Sequence, residues 1–303
     1  MNCIHISTIA AFLGAPLLLS GRAGADGNVT VHVDGQGNLV VVGDGADNAI
    51  SIMPFDIGEG FVRGLDGTLV NGSEQAPFTG AGGDFRIRMH GGDDTVEVDD
   101  GDGNEVLGDL EVETGTGDDT VLVRHFIAHG DLSIHTGPGH DRVRLEQTAG
   151  LSAFAEGRTD VRTGAGNDQV IVTGGDPSLE AFVRFQGAFR VATGQGRDFV
   201  SVSGAIFFDA VEVDLGAGDD LGSTGGPPGG VCVCGSTFLA DPVLGRVSFR
   251  GGGGVDGGVL ESVCGIAPPG LVDDFLDVES EPDDCSFLGG TACSGSCPPP
   301  ERR

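Results

Sequence analysis

A chain of 303 residues is long enough for one or two domains with a sizeable core, and its 46 acidic against 16 basic residues give a formal net charge of -30. Such a surface repels nucleic acid and anionic lipid and attracts cations, so no nucleic-acid partner is expected. The 17 Phe stand beside no Trp and no Tyr, so the rings that stack on sugars while offering a polar edge are missing and a glycan platform loses support.

Residues 1–25 carry no acidic group, an apolar run over 9–19 and the small-x-small ending Ala23-Gly24-Ala25. This reads as a secretory signal peptide, whose removal takes Arg22 and Cys3 with it and leaves a mature charge near -31. No later stretch approaches the ~20 apolar residues needed to span a bilayer. A secreted, extracellular protein without membrane insertion is expected.

The middle of the chain is one short text written six times. Residues 110–123 read LEVETGTGDDTVLV, two alternating apolar segments around Gly-Thr-Gly-Asp-Asp. The same pattern recurs at 85–98, 132–145, 161–172, 189–202 and 211–221. The shared core is G-x-G-x-D-x-φ, with φ apolar, and the closing aspartates are Asp94, Asp119, Asp141, Asp168, Asp198 and Asp220, separated by 25, 22, 27, 30 and 22 residues. The copy before Asp94 has His90 in place of the first glycine. Outlying copies lie at Gly43-Asp44-Gly45-Ala46-Asp47 and at Gly252-Gly253-Gly254-Val255-Asp256, and the 47-residue gap from Asp47 to Asp94 leaves room for two units with one motif lost.

Each unit splits into three alternating pieces, EVL, LEVE and TVLV in residues 104–123, divided by turns. Three short strands in about 22 residues suit a right-handed parallel β-helix, with Leu110, Val112, Val121 and Val123, or their alternates, turned inward. A β-propeller needs about 40 to 50 residues per blade and does not fit the spacing. Stacking places equivalent aspartates in a column about 4.8 Å apart, where two bare carboxylates repel by about 3 kcal/mol at an effective dielectric of 20. A row of Ca²⁺ between the turns would neutralise the column, as would protonation or a splayed, wetted geometry. Without any of these, each motif is a tight turn in which glycine supplies φ > 0 and aspartate caps its own backbone.

G-x-G-x-D-x-φ resembles the RTX, or haemolysin-type, calcium-binding repeat. At Gly164, Gly166, Asp168 and Val170, and at Gly115, Gly117, Asp119 and Val121, the positions match. The resemblance implies Ca²⁺ held by Asp94, Asp119, Asp141, Asp168, Asp198 and Asp220, with Asp93, Asp118, Asp219 and Asn167, which precede them, beside it. This chain departs from the family in having one motif per larger unit, and His140 and Arg197 stand before the key aspartate in two copies.

Other constellations carry less. Asp100, Asp102, Asn104 and Glu111 have EF-hand spacing, but the glycine position is Glu105 and the flanks read as strand. His125, His129, His135 and His140 fall on strands and turns that do not hold them in zinc geometry. Arg142, Arg144, Arg162 and Arg184 could line one face of a secreted polysaccharide lyase or hydrolase, although a surface of this charge is a poor landing site for a polyanion. Gly225-Gly226-Pro227-Pro228-Gly229-Gly230 marks a change of composition, beyond which stand Cys232, Cys234, Cys264, Cys285, Cys293 and Cys297. Six cysteines in a secreted chain imply three disulfides, and Cys232 and Cys234, two apart on a strand, are not partners of each other.

The organisation expected is a signal at 1–25, an all-β parallel β-helix at 26–224, a disulfide-braced cysteine-rich cap at 225–297 and a disordered tail at 298–303. The expected function is that of a calcium-binding extracellular structural, adhesive or surface-associated protein, with Ca²⁺ and cell-surface or matrix components as partners. A β-helix lyase or hydrolase is the alternative.

Overall fold

The structure is a computed structural model describing residues 27–99, 105–106, 108–147, 155–174, 183–220, 230–234, 237–238, 247–251, 258–261 and 275–276. Among these residues every regular element is a strand. The repeat at 104–123 divides as its alternation predicts, into β9 (Glu105–Val106), β10 (Leu110–Glu113) and β11 (Thr120–Arg124). The next repeat supplies β12 (Ile127–Ala128), β13 (Leu132–His135) and β14 (Arg142–Gln147). Each pairs in parallel with its counterpart: Leu110 with Leu132, Val121 with Val143, Ile127 with Glu105. Repetition of this step builds an eleven-stranded and a ten-stranded sheet that are parallel over most of their length, and a third row of short strands. Long parallel sheets advancing by one repeat are compatible with a β-helix or solenoid.

Alternation decides what each sheet buries. Leu110, Val112, Val121 and Val123 are fully buried, so the inward set is the one read from the sequence. Between Val183 and Phe207 the interior holds three aromatic rings. Phe185 stacks on Phe207 at 5.3 Å, and Phe189 lies 4.6 Å from Phe185 and 5.1 Å from Phe207. Truncation of Phe189 to alanine removes one ring from this trio and is expected to cost about 3–5 kcal/mol. Thermal unfolding followed by far-UV circular dichroism measures that loss. The outward faces carry charge instead: Arg88 meets Glu113 at 3.1 Å and Glu111 at 3.5 Å across adjacent strands. Exposed pairs of this kind contribute about 0–1 kcal/mol each, but like charges directly opposite one another would disfavour the register.

The gap between Asp47 and Asp94 is filled differently from the two parallel units expected. Strand β3 (Ala49–Asp56) turns back into β4 (Glu59–Gly64), which pairs antiparallel with β6 (Gln75–Thr79). Turn chemistry explains it. Gly58 between β3 and β4, and Asp66-Gly67 and Asn71-Gly72 between β4 and β6, all take positive φ, the conformation that reverses a chain. Val62, Val70, Ala76 and Phe78 are buried here, with Phe78 edge-on to Phe85 at 5.7 Å. Strand β6 ends its sheet. Gly64 N–H donates to Glu74 O, so alternation turns the backbone of Pro77 toward the free edge, where its missing N–H costs no ladder bond and discourages pairing with another chain.

The change of composition at Gly225 is not a break in the sheets. Strand β22 (Gly230–Cys234) extends the ten-stranded sheet, with Val231 in register with Val200, and β24 (Val247–Arg250) extends the eleven-stranded one. Cys232 and Cys234 are in register with Ser201 and Ser203. Cys264, Cys285, Cys293, Cys297 and the copy at 252–256 lie outside the described residues, as do residues 1–26, 100–104 and 298–303.

A stacked aspartate column as the candidate functional site

The phase of each flanking strand extends to the edge of the G-x-G-x-D turn, and this places the motif aspartates. Asp119 is two residues before Val121, and Thr114 two after Val112, so both point inward with the valines. Asp94, Asp119, Asp141, Asp168, Asp198 and Asp220 are all buried, between 0 and 2 % exposed. They form a column, as expected, but each side chain reaches back to the repeat before it. Asp94 N–H donates to Asp119 Oδ1 at 2.8 Å, Asp119 N–H to Asp141 Oδ1 at 2.9 Å, and Asp141 N–H to Asp168 Oδ1 at 2.9 Å. Asp168 N–H continues to Asp198 Oδ1 at 2.9 Å, and Asp198 N–H to Asp220 Oδ1 at 2.6 Å. The first rung is Asn48, whose N–H donates to Asp94 Oδ1 at 2.8 Å. The early copy is therefore in register one residue later than its sequence suggests: Ala49 pairs with Thr95, so Asn48 and not Asp47 holds the column position.

A column of threonines accompanies the aspartates and was missed in the sequence. Thr114 Oγ1 donates to Asp119 Oδ2 and Thr136 Oγ1 to Asp141 Oδ2, both at 2.6 Å. Thr163 and Thr193 lie against Asp168 and Asp198 and also meet Thr193 O at 3.2 Å and Leu215 O at 3.0 Å, as Thr114 and Thr136 meet Thr136 O at 3.3 Å and Thr163 O at 3.4 Å. Met89 occupies the threonine position before Asp94. The signal was present as Thr-Gly-x-Gly in four copies, in the same strand phase as the buried valines.

The residues preceding the column aspartates form a second, exposed ladder that runs the other way. Asp93 N–H donates to Asp47 Oδ1, Asp118 N–H to Asp93 Oδ1 and His140 N–H to Asp118 Oδ1, at 2.8 to 2.9 Å. His140 does not interrupt it, because its Nδ1 accepts the Asn167 N–H at 2.8 Å; Asn167 Oδ1 in turn accepts from Arg197 N–H at 2.9 Å. Asp219 follows at the same position of the next turn. A third ladder runs from Asn38 through Asp84, Asp109 and Asp131 to Arg158 at the turn before the eleven-stranded sheet.

Burial sets the charge state of the inner column. Loss of hydration pushes the Asp94 carboxyl up to about 8 and those of Asp119 and Asp168 to about 7, and it raises Asp141 and Asp198 as well. Neighbouring carboxylates add to the rise at Asp94, Asp119 and Asp168, while the amide donors, and at Asp119 the Thr114 hydroxyl, oppose it. Of the ways to relieve a stacked column, protonation matches these surroundings.

Calcium fits them poorly. The ion needs six to eight oxygens, several of them ionised and free to turn toward it. Here each inner Oδ1 is taken by an amide, and two Oδ2 atoms by threonines. In the outer ladder Asp93, Asp118 and Asn167 also give Oδ1 to an amide. Among the described residues no three His, Cys, Asp or Glu side chains are gathered for a metal. His125 meets Asp99 at 3.3 Å, His129 meets Glu156 at 2.9 Å, and His135 lies on β13, so the histidines do not converge.

The arginines singled out in the sequence do not share a face. Arg142 and Arg144 are on β14 in the ten-stranded sheet, Arg162 on β15 (Thr159–Arg162) in the eleven-stranded sheet, and Arg184 on β17 (Val183–Phe185) in the third row. The three-piece repeat distributes them, because the Arg142 and Arg144 pair, Arg162 and Arg184 fall in three different pieces. A groove of about 260 Å³ instead brings Arg86 together with Asp84, Asp109, Glu111 and Asp131. Most of its charge is already paired: Asp84 with Arg86 at 2.7 Å, and Asp131 with Arg158 at 2.8 Å. No family model, no curated protein sequence and no solved structure matches this chain.

Proposed function

We propose that this chain is a secreted, non-enzymatic structural protein, a right-handed parallel β-helix with a disulfide-braced cysteine-rich end at 225–297. It acts outside the cell in an adhesive or surface-associated role, with cell-surface or matrix components as partners. The observation that carries this reading is the use made of the turns. The carboxylates, amides and hydroxyls that a catalytic site would present are engaged in three ladders that fix one repeat on the next. What remains exposed is a long acidic surface. Expression of the full chain, followed by fractionation and N-terminal sequencing, tests the reading. The mature chain is expected outside the cell or on its surface, beginning near Asp26; retention inside the cell with residues 1–25 intact would defeat it.

A second reading, a polysaccharide lyase or hydrolase, draws on the Arg86 groove, since one arginine among several carboxylates is the arrangement such chemistry uses. Incubation of the purified chain with uronate polymers, read by ultraviolet absorbance and reducing ends, separates the two. No turnover is expected. Turnover that disappears in Arg86→Ala while the fold is retained would favour the enzyme.

A further inference from the structure

We propose that the aspartate closing each G-x-G-x-D turn serves as an acceptor for the amide of the preceding repeat, a role that uncharged asparagine fills equally well, and is not a ligand in a row of cations. Four observations lead there, none of which depends on the extracellular role.

The first is stoichiometry. Five aspartate N–H groups and the N–H of Asn48 each meet one Oδ1 of the next column member, so each carboxyl has one fixed partner in the neighbouring repeat. The second is that the chain already buries an amide in the column: Asn48 is the first rung, its Nδ2 donates to Asp94 Oδ1 at 3.3 Å, and with no repeat before it its own Oδ1 accepts no bond. The third concerns the other oxygen. At Asp119 and Asp141 a single hydroxyl satisfies Oδ2, whereas at Asp94, Asp168 and Asp198 the buried Oδ2 receives no donor. A bare anion would be costly there.

The fourth concerns the threonine hydroxyls. The Thr163 and Thr193 hydroxyls meet the backbone carbonyls of Thr193 at 3.2 Å and Leu215 at 3.0 Å, and a hydroxyl that donates there leaves a lone pair for a donor on the neighbouring Asp168 or Asp198. A group that donates from the Oδ2 position, a protonated carboxyl or the Nδ2 of an amide, completes the chain from side chain to hydroxyl to carbonyl. A calcium ion at that place would face the carboxyl with one oxygen already committed and a hydroxyl as its next neighbour.

The test uses the full mature, oxidised chain as wild type, Asp168→Asn and Asp168→Ala. Each is melted by far-UV circular dichroism at neutral pH in millimolar CaCl₂, in chelator and in NaCl of equal ionic strength, with ⁴⁵Ca²⁺ equilibrium dialysis of the wild type alongside. The expected result is that Asp168→Asn melts within about 3 °C of wild type or above it, while Asp168→Ala, which leaves the Asp141 amide without an acceptor, melts roughly 5–10 °C lower. Calcium is expected to shift none of the melts beyond the NaCl control, and the dialysis to show no stoichiometric binding. Two results would overturn the proposal: Asp168→Asn falling as far as Asp168→Ala, or calcium raising the wild-type melt in a manner that Asp168→Asn abolishes. If Asp168→Ala does not fold, the asparagine melt and the dialysis still decide. An asparagine variant that also fails to fold counts against the proposal.

Discussion

The melting temperature of the oxidised mature protein is expected to fall by on the order of 10 °C between about pH 5.5 and about pH 9. The inner carboxyls hold their protons to a higher pH when folded than the ordinary 3.8, up to about 8 at Asp94 and about 7 at Asp119 and Asp168. Below about pH 4 both states are protonated and the column costs nothing. As the pH rises from there to about 8, the unfolded chain ionises freely while the folded one cannot, so stability is lost steadily across that window and levels off above it. A shift of one pKa unit corresponds to about 1.4 kcal/mol, but stacked carboxyls titrate as a coupled set, so the column as a whole is taken to supply several kcal/mol.

The groups that face the column work in the same direction. Asp119 and Asp47 raise Asp94, Asp141 and Asp93 raise Asp119, and Asp118 raises Asp141, with His140 as the opposing neighbour there. Measurements should begin above the isoelectric point near 4.2, where low net charge favours association. A melting temperature that stays flat, or climbs, from pH 5.5 to 9 would mean that the column is ionised and neutralised by other means. Asp168→Asn should flatten the profile, since it removes one titrating rung.

Gly166→Ala is expected to be the most damaging single methyl group among the described glycines. Gly166 sits at φ 148, and a Cβ there would lie 1.5 Å from the carbonyl oxygen of Gly139 in the repeat before it. The neighbour cannot retreat, because both turns are fixed by backbone bonds: Gly139 N–H to Ala165 O at 2.9 Å and Gly166 N–H to Gln195 O at 2.7 Å. A Cβ added at Gly117 would likewise lie 1.9 Å from Gly92 O, so the second motif glycine exists for the close approach of stacked turns as much as for its φ. A loss above about 4 kcal/mol is expected, enough to lower the melting temperature by at least about 10 °C or to leave the chain insoluble. Gly45→Ala is the matched control. Nothing lies within 4 Å of its Cβ and its φ is ordinary, so a change within about 0.5 kcal/mol is expected. Equal melting of the two variants would show that the turns are not closely stacked.

The sequence alone determined the repeat, the three pieces within it and the inward phase of Leu110, Val112, Val121 and Val123, because period-two alternation is a local property that each strand carries by itself. It also held, unread, the direction of Asp119 and Thr114, which share that phase, and the Asp-Gly and Asn-Gly turns at 66–67 and 71–72 that reverse the chain before the first parallel strands. Only the tertiary structure decided the chemistry of the column. Whether a carboxylate 22 to 30 residues from its neighbour meets a cation, a water or an amide depends on how adjacent turns stack. Here they stack closely enough for one turn's N–H to reach the next turn's Oδ1 at 2.6 to 2.9 Å. The same stacking separated Arg142, Arg162 and Arg184 onto three sheets and brought Arg86 among Asp84, Asp109 and Asp131. Neighbours in the stack are set by sheet register, which no stretch of chain specifies before the repeat on which it lies.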